Sequence, residues 1–507
     1  MTKVADAIRL HPADNIIVAL ADLEAGASVP GLEVPLVQSI VRGHKIASTD
    51  IAKGENVRRY GQIIGQATKN IAAGEHVHVQ NLGMGAHEQD YAFGAEARAL
   101  PVADATLTFD GYHRADGRVG TRNYIGILTS VNCSGSVAKF IAEAATKNGL
   151  LDAFPNVDGI VPITHGTGCG MSGKDEGYAT LFRTLAGYAG HPNFGGILLI
   201  GLGCEVMQIS ALVDGRPIRA DGALRYMTIQ TEGGTRATIA KGLEELRGIA
   251  EIANQVERTP APISHITVGM QCGGSDGYSG ITANPALGAA SDLLVRHGGT
   301  TILSETSEIY GAEHLLTRRA VSAEVGQKLI DRVHWWEDYT ARNGGEMDNN
   351  PSPGNKRGGL TTILEKSLGA VAKSGAAPLT EVYLFGEKID KQGFVFMDSP
   401  GFDPCSVTGQ IASGANLIAF TTGRGSVSGY MPTPGIKIAT NSEMYARLED
   451  DMDLNCGDII TEGISIEEKG RQLFDLFIRV ASGEKTKSEQ LGFGGVEFVP
   501  WQIGAVM

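Results

Sequence analysis

The chain has 507 residues, of which 42% are hydrophobic and 20% are charged. This length predicts two to four domains, and the composition is typical of a globular protein. The formal net charge of -14 argues against a nucleic-acid partner. The sequence contains no run of about 18 apolar residues, so we expect no membrane span. The N-terminus lacks the apolar core of a signal peptide. The six cysteines are too few for a disulfide scaffold, so we expect a cytoplasmic protein with free thiols.

Residues 1–95 are predicted to form a small all-β module, followed by a linker at 96–107. The module contains an internal repeat, because DIAKGENV (50–57) is echoed twenty residues later by NIAAGEHV (70–77). Each copy has a glycine turn that leads into a strand. Two related turns in a compact module indicate a pseudo-symmetric β-clip, which is far shorter than a solenoid.

The same module carries a set of polar residues that suits a binding site. His76 and His78 are two apart on a predicted strand, so both imidazoles face one side. His44 and Lys45 precede the first repeat. Paired histidines can bind a divalent metal or the oxygens of an acid. The alternative is a solvated edge strand that carries incidental histidines.

Residues 108–258 begin with a basic, turn-rich stretch that includes Arg122, whose guanidinium would suit a carboxylate. The alternative is an exposed loop with ordinary surface charges. From Asn123 onward, apolar strand patterns alternate with helix patterns. This alternation predicts a doubly wound, mostly parallel α/β sheet.

Residues 259–507 start a second α/β region, built around GMQCGGSDGYSGITANP (269–285). A buried strand precedes this stretch and a helix follows it, with Asn284 as the expected N-cap and Gly298 as the expected stop. Ligands bind at such strand-to-helix turns because backbone N–H groups and the helix dipole point there. The dipole is expected to keep Asp276 ionised and to lower the pKa of Cys272. Under the alternative, Asp276 only caps the helix and Cys272 only packs.

Four cysteines follow the ends of predicted strands: Cys133, Cys169, Cys204 and Cys272. The carboxyl ends of parallel strands share one edge of a sheet, so these thiols could be near neighbours. Soft ligands of this kind suit iron or zinc. The alternative is that small side chains are tolerated in crowded glycine turns.

Two further loops carry polar groups that could hold an anion. NNPSPGNKRGG (349–359) contains Asn355 and Lys356, and the strand ending in TTGRGS (421–426) supplies Thr422 and Arg424. No phosphate-binding GxxxxGK[ST] loop, complete dinucleotide fingerprint or GxSxG nucleophile elbow occurs. Polar loops, basic groups and potential metal ligands together suit acid–base and Lewis-acid chemistry on a polyhydroxylated acid.

These motifs resemble the altronate/galactarate dehydratase family over nearly the full length. The matching stretches include GHKIASTDIAKGENVRRYGQIIG, AAGEHVH, ADGRVGTRN, HPNFGGILLIGLGCE, CGGSDGYSGITANP and NPSPGNKRGG. The resemblance implies an N-terminal SAF-type β-clip followed by two α/β domains with mostly parallel sheets. It also implies dehydration of a sugar acid to a 2-keto-3-deoxy acid with a divalent metal, Fe²⁺ first and Mn²⁺, Mg²⁺ or Ca²⁺ as alternatives.

GEHVH, GAEHLL and IKIATNSE resemble the altronate branch, so D-altronate is the expected substrate. HGTGCG (165–170) departs from that branch because Thr167 replaces a bulky aromatic residue. Galactarate, another aldonate or aldarate, and elimination of sulfite from sulfolactate remain alternatives, as does a sugar-acid-binding regulatory protein. We expect a homo-oligomer, a dimer in the simplest case, with no nucleic-acid or membrane partner.

We therefore predict three sets of site residues. The predicted catalytic residues are His44, Lys45, His165, Asp276 and Lys356. The predicted substrate-binding residues are Arg122, Ser275, Asn355, Thr422 and Arg424. The predicted metal ligands are His76, His78, Cys169, Cys204 and Cys272.

Overall fold

The computed structural model describes residues 6–85, 89–214 and 222–507. Two parts of the predicted β module, residues 1–5 and residues 86–88, lie outside the described residues. Within the described ranges, the chain forms a β module and two α/β units. None of the helices in these ranges is long and apolar enough to cross a membrane.

The N-terminal module consists of short strands in two antiparallel sheets. The strands are β1 (Ala7–Ile8), β2 (Ile16–Ala19), β3 (Lys45–Ala47), β4 (Asn56–Arg59), β5 (Gln62–Ala67), β6 (His76–Val77) and β7 (Leu82–Gly83). Their orders are β1-β2-β3-β6 and β4-β5-β7. The two copies of the repeat face each other, because Ile51 and Ile71 pair as an antiparallel bridge.

The middle unit is a four-stranded parallel sheet of order β11-β10-β12-β13 with helices packed on it. Strand β12 is buried along its whole length, which explains its continuous apolar sequence. The elements are β8 (Thr108–His113), β9 (Val119–Gly120), β10 (Tyr124–Thr129), α1 (Gly135–Lys147), β11 (Gly159–Ile163), α2 (Glu176–Ala189), β12 (Phe194–Gly201), α3 (Ile209–Val213), β13 (Leu224–Thr228) and α4 (Thr235–Ala253).

The C-terminal unit has seven parallel strands within the described ranges. Its first elements are β14 (Arg258–Pro262), β15 (Thr267–Cys272), α5 (Ala283–Arg296), β16 (Thr300–Leu303), α6 (His314–Thr317), α7 (Ala323–Arg342), α8 (Pro353–Arg357), α9 (Ile363–Val371), β17 (Leu379–Tyr383) and β18 (Gly393–Met397). The rest are α10 (Asp403–Ser413), β19 (Leu417–Thr422), β20 (Gly435–Ala439), α11 (Ser442–Arg447), β21 (Leu454–Asn455), α12 (Asp458–Thr461), α13 (Ile466–Ala481) and α14 (Lys487–Gln490).

The sheet order in this unit is β17-β18-β16-β15-β19-β20-β21, so β15 lies at its centre. Strand β14 pairs with β8 in a separate antiparallel sheet, which ties the C-terminal unit to the start of the middle unit. The predicted fold class is confirmed: a β module precedes two α/β units with parallel sheets.

Two local predictions are wrong. The N-cap position of α5 is Thr282, not Asn284, and no side chain caps the helix there. The Asn284 side chain instead donates to the Gly369 carbonyl and accepts from the Thr421 hydroxyl. The four thiols also do not share one sheet edge. Cys272 ends β15 of the seven-stranded sheet, whereas the other three follow strands of the four-stranded sheet.

Candidate metal and acid–base site

Three histidines of the N-terminal module converge in space. His44 precedes β3, His76 begins β6, and His78 follows it, with β3 and β6 paired antiparallel. Their ring centroids lie 5.0 to 5.3 Å apart, and one nitrogen from each ring lies within 4.8 Å of the others. His44 Nδ1 and His76 Nε2 are 2.9 Å apart. The structure thus joins the predicted catalytic His44 with the two predicted metal ligands into one histidine triad.

The imidazoles of this histidine triad are held in the neutral form. Burial lowers the pKa of His76 to about 4 and that of His78 to about 3, and burial likewise lowers the pKa of His44. The Nδ1 atom of His78 is buried and has no hydrogen-bond partner among the described residues. Neutral imidazole nitrogens with a free lone pair are the form that binds a metal ion.

The histidine triad lies against the C-terminal unit. His44 Nε2 is 3.3 Å from the Arg357 carbonyl oxygen at the end of α8. The backbone approach is so close that a Cβ at Gly277 or at Gly359 would collide with the Gly43 carbonyl oxygen. Glycine at these positions therefore lets the β module dock beside the loop that follows β15 and the loop that follows α8.

Lys45, which we predicted to be catalytic, lies beside the histidine triad in a buried ion group. Its ammonium donates to Glu365 Oε1, Glu365 Oε2 and the Gly359 carbonyl at 2.6 to 3.0 Å, which uses all three of its N–H donors. Arg59 binds the same carboxylate at 2.5 Å and donates to the Gly277 carbonyl. Burial alone would raise the pKa of Glu365, but Lys45 and Arg59 lower it to about 2. This buried ion group fastens the β module to α9.

The loop between β15 and α5 is fixed by Asp276. Its carboxylate accepts hydrogen bonds from the backbone N–H groups of Tyr278 and Ser279, and from the side chains of Ser279, Thr440 and Asn441, at 3.0 to 3.2 Å. Burial raises the pKa of Asp276, contrary to the expected effect of the helix dipole, although these hydrogen bonds oppose that change. The contacts make Asp276 an anchor of its loop.

Other predicted residues surround the same loop. The Asn355 amide donates to the Ser275 carbonyl at 2.8 Å, and Arg424 N donates to the Gly274 carbonyl at 3.0 Å. Thr422 Oγ1 caps the turn by accepting from Gly425 N. The structure therefore brings predicted residues of three separate loops together, although it does not test their roles toward a substrate.

A second group of ionisable side chains lies at the carboxyl ends of β15 and β16. Donor atoms of Cys272, Glu305 and Glu308 all lie within 4.8 Å of one another, and all three residues are buried. Lys373 Nζ is 3.0 Å from Cys272 Sγ and 3.5 Å from Glu305, while Lys366 Nζ is 2.6 Å from Glu308. Burial raises the pKa of Cys272 to about 11, so the expected thiolate is not supported. We call these five residues the buried charge cluster.

Sequence reasoning found only Cys272 of the buried charge cluster. The signal that it missed is in α9 and just beyond it, where Lys366 and Lys373 lie in a largely buried segment whose other side chains, apart from Glu365 and two serines, are apolar. A buried lysine needs a buried carboxylate, and Glu305 and Glu308 follow a buried strand. Lysines within an apolar helical segment could therefore have indicated a buried polar site.

Four predicted site residues lie in the middle unit. The five N–H donors of Arg122 are taken by Glu489 and by the carbonyls of Thr121, Val480 and Glu484, so none remains for a substrate. His165 contacts the Thr129 carbonyl and Thr167 N with its two ring nitrogens. These contacts hold both side chains within the fold, and the predicted roles of Arg122 in binding and of His165 in catalysis stay predictions.

The other two are Cys169 and Cys204, which are exposed. Neither belongs to a group of three potential ligands within the part of the chain that the structure describes. Their predicted role as metal ligands gains no support from geometry.

Replacing Asp276 by asparagine is expected to destabilise the fold by about 1–3 kcal/mol. The amide nitrogen would face N–H and O–H groups whose hydrogen bonds the carboxylate now accepts. Thermal unfolding of the variant and the wild type measures this loss. Asp451→Asn, an acidic residue for which no such contacts are present among the described residues, is the matched control. An unchanged melting temperature with lost turnover would instead favour the catalytic role that the sequence suggested.

Comparison with protein families matches three consecutive segments of the chain. Residues 5–85 match the altronate/galactarate dehydratase SAF domain, which confirms the SAF-type module. Residues 111–254 match the second domain of D-galactarate dehydratase/altronate hydrolase. Residues 263–506 match the C-terminal domain of D-galactarate/altronate dehydratase.

Curated relatives match over nearly the whole length. Galactarate dehydratase (L-threo-forming) of Escherichia coli K12 is 39% identical over 97% of this chain and 96% of its own. Altronate dehydratase of the same strain is 36% identical over 96% of this chain and 97% of its own. Altronate dehydratase of Bacillus subtilis 168 is 34% identical over 96% of this chain and 97% of its own. The chain therefore belongs to the galactarate/altronate dehydratase family.

Proposed function

We propose that this protein is a hydro-lyase that dehydrates a sugar acid, D-altronate first, to a 2-keto-3-deoxy sugar acid. Family membership supports the reaction type. The observation that carries the site is the histidine triad, in which the His78 Nδ1 atom is buried without a partner among the described residues. Galactarate is the second candidate substrate, since the relatives that act on either acid are similarly identical to this chain.

The residues of the histidine triad fit a divalent metal ion. His44, His76 and His78 would hold it through neutral imidazole nitrogens that already lie within 4.8 Å of one another. Imidazole suits iron better than manganese, magnesium or calcium, which prefer oxygen ligands, so Fe²⁺ remains the first expectation. When bound, such an ion supplies Lewis acidity that stabilises negative charge on a carboxylate and on the enediolate derived from it.

The residues around the histidine triad can hold the substrate and move protons. Lys356 is half-buried in α8, next to the Arg357 carbonyl that contacts His44. We infer that the Lys356 side chain takes the proton from C2 of the sugar acid. Arg424 is exposed beside the Gly274 turn, where its guanidinium would bind the substrate carboxylate. Asn355 and Asp276 hold the intervening loop in place.

Removal of metal with a chelator is expected to abolish dehydration of D-altronate, and Fe²⁺ or Mn²⁺ is expected to restore it. The 2-keto-3-deoxy product, measured as its semicarbazone, reports turnover on D-altronate, galactarate and other aldonates. A protein that binds sugar acids but forms no product with any added metal would point to the regulatory alternative. Full activity after complete metal removal would contradict a metal-assisted reaction.

We also propose that the protein acts in the cytoplasm as a homo-oligomer. Its free thiols support the first point: all six cysteines are unpaired.

A further inference from the structure

The buried charge cluster resembles a second metal site, but its two ammonium groups lie where a cation would bind. Lys373 Nζ is 3.0 Å from Cys272 Sγ, and Lys366 Nζ is 2.6 Å from Glu308 Oε1. A divalent cation among the same ligands would face two buried positive charges at close range. The cluster therefore has the composition of a proton-handling network rather than a metal site.

The cluster borders a cavity of about 10 Å³, roughly the space that one water molecule needs. Its lining includes Cys272, Lys366, Ser275 and Asp276 of the C-terminal unit. Tyr60 of the β module also lines it. Its size fits a single hydroxyl group or water and excludes a whole sugar acid.

The cavity offers hydrogen-bonding atoms that the fold leaves unused. The Ser275 hydroxyl is buried, with 3% of the residue exposed, and has no hydrogen-bond partner among the described residues. Lys366 donates to Glu308 and to Asn350 Oδ1. An ammonium has three donors, so one more can reach the cavity within the described surroundings.

One residue of the buried charge cluster and one residue that lines the cavity have a strained backbone. Glu305 of the buried charge cluster has φ of 70°, and Tyr60 at the cavity has φ of 58°. For residues other than glycine this left-handed region is strained, because Cβ crowds the neighbouring carbonyl oxygen. Strain that persists in a native fold is concentrated at functional sites, so these two positions support a ligand-binding role for the cavity.

The cavity and the histidine triad share a wall. Leu360 and Glu365 line the cavity, while the adjacent Gly359 packs against the His44 ring and Glu365 holds Lys45. The segment that lines the cavity thus also contacts the histidine triad, which puts the cavity beside the proposed substrate site.

We propose that the cavity receives the departing C3 hydroxyl of the substrate and that Lys366 is the general acid that protonates it. This inference rests on the proposed function. The Ser275 hydroxyl orients the leaving oxygen, and Glu308 holds the Lys366 ammonium in position. The water-sized cavity then holds the product water.

The proton and electron balance of the step is closed. The C2–H bond breaks, its proton goes to Lys356, and its electron pair forms the C2=C3 double bond. The C3–O bond breaks, its pair goes to oxygen, and that oxygen takes a proton from Lys366 and leaves as water. Lys356 gains one proton and Lys366 loses one, and exchange with solvent resets both. The enol then tautomerises to the 2-keto-3-deoxy acid.

The test compares two substrates, the sugar acid and its 3-deoxy-3-fluoro analogue, which gives the same product by loss of fluoride. Fluoride leaves without the full protonation that hydroxide needs. Lys366→Met is expected to slow water loss by 100-fold or more but fluoride loss by less than 10-fold. The matched control is Lys373→Met, a second buried lysine of the cluster that does not line the cavity.

Lys373→Met is expected to change both rates by the same factor, as a structural change would. If Lys366→Met is folded by circular dichroism and loses both rates by the same factor, Lys366 is not the general acid. That result would leave the proposed function standing. If Lys366→Met does not fold, Ser275→Ala is measured instead, and it should show the same preference for the fluoro substrate. A wild-type protein that forms product from neither substrate would overturn the proposed function together with this inference.

Discussion

Replacing His76 and His78 together by alanine is expected to lower kcat/KM at least about 1,000-fold and to remove the bound metal. The two rings supply two of the three nitrogens that converge within 4.8 Å, and His44 alone cannot hold an ion. A metal ion contributes several kcal/mol to transition-state stabilisation, and about 4 kcal/mol corresponds to this factor. The fold should persist, because both histidines are only partly buried.

Steady-state kinetics, metal analysis and thermal unfolding of the same preparation check this prediction. His334→Ala, which removes an exposed histidine of α7, is the matched control and should leave all three quantities unchanged. A double variant that keeps its metal and more than a tenth of wild-type turnover would show that the histidine triad is not the metal centre.

The sequence predicted most of the architecture because parallel sheets have strong local signals. The continuous apolar run of β12 is typical of a buried parallel strand, and the repeat at 50–57 and 70–77 indicated the β-clip. The cap of α5 was misplaced by two residues because Asn284 serves distant partners instead of its own helix. At this position tertiary contacts override the local preference of asparagine for the N-cap.

The site was harder to predict, because a charged residue does not reveal its partner in the sequence. Lys45 was predicted to be catalytic and Arg122 to bind substrate, yet each pairs with a carboxylate, Glu365 or Glu489, that lies more than 300 residues away along the chain. The histidine triad could be predicted because two of its members are two positions apart on one predicted strand. The buried charge cluster has no such spacing, since Cys272 and Lys373 are separated by 101 residues.

Replacing Glu365 by glutamine is expected to cost about 3–5 kcal/mol of stability and to loosen the β module from the C-terminal unit. The substitution would leave Lys45 and Arg59 as two fully buried cations without a countercharge. The matched control is Glu443→Gln. Glu443 also pairs with the β module, through Arg42, but its side chain is 58% exposed, so its loss should cost less than about 1 kcal/mol.

The pH dependence of unfolding provides an independent check of the Glu365 prediction. The folded protein holds the pKa of Glu365 at about 2, below the ordinary value of 4.5 that the unfolded chain has. The unfolded state therefore binds the proton first as the pH falls, so this stabilisation is complete above pH 4.5 and is lost as the pH falls toward 2. Denaturant unfolding of the wild type should show this loss, whereas Glu365→Gln should have a flatter profile in the same range. Parallel profiles for the two proteins, or equal stability at neutral pH, would mean that Glu365 does not hold the two units together. Hydrogen exchange should also show the strands β3 and β6 opening more readily in Glu365→Gln than in Glu443→Gln, because only the first substitution removes the buried contact beside the histidine triad.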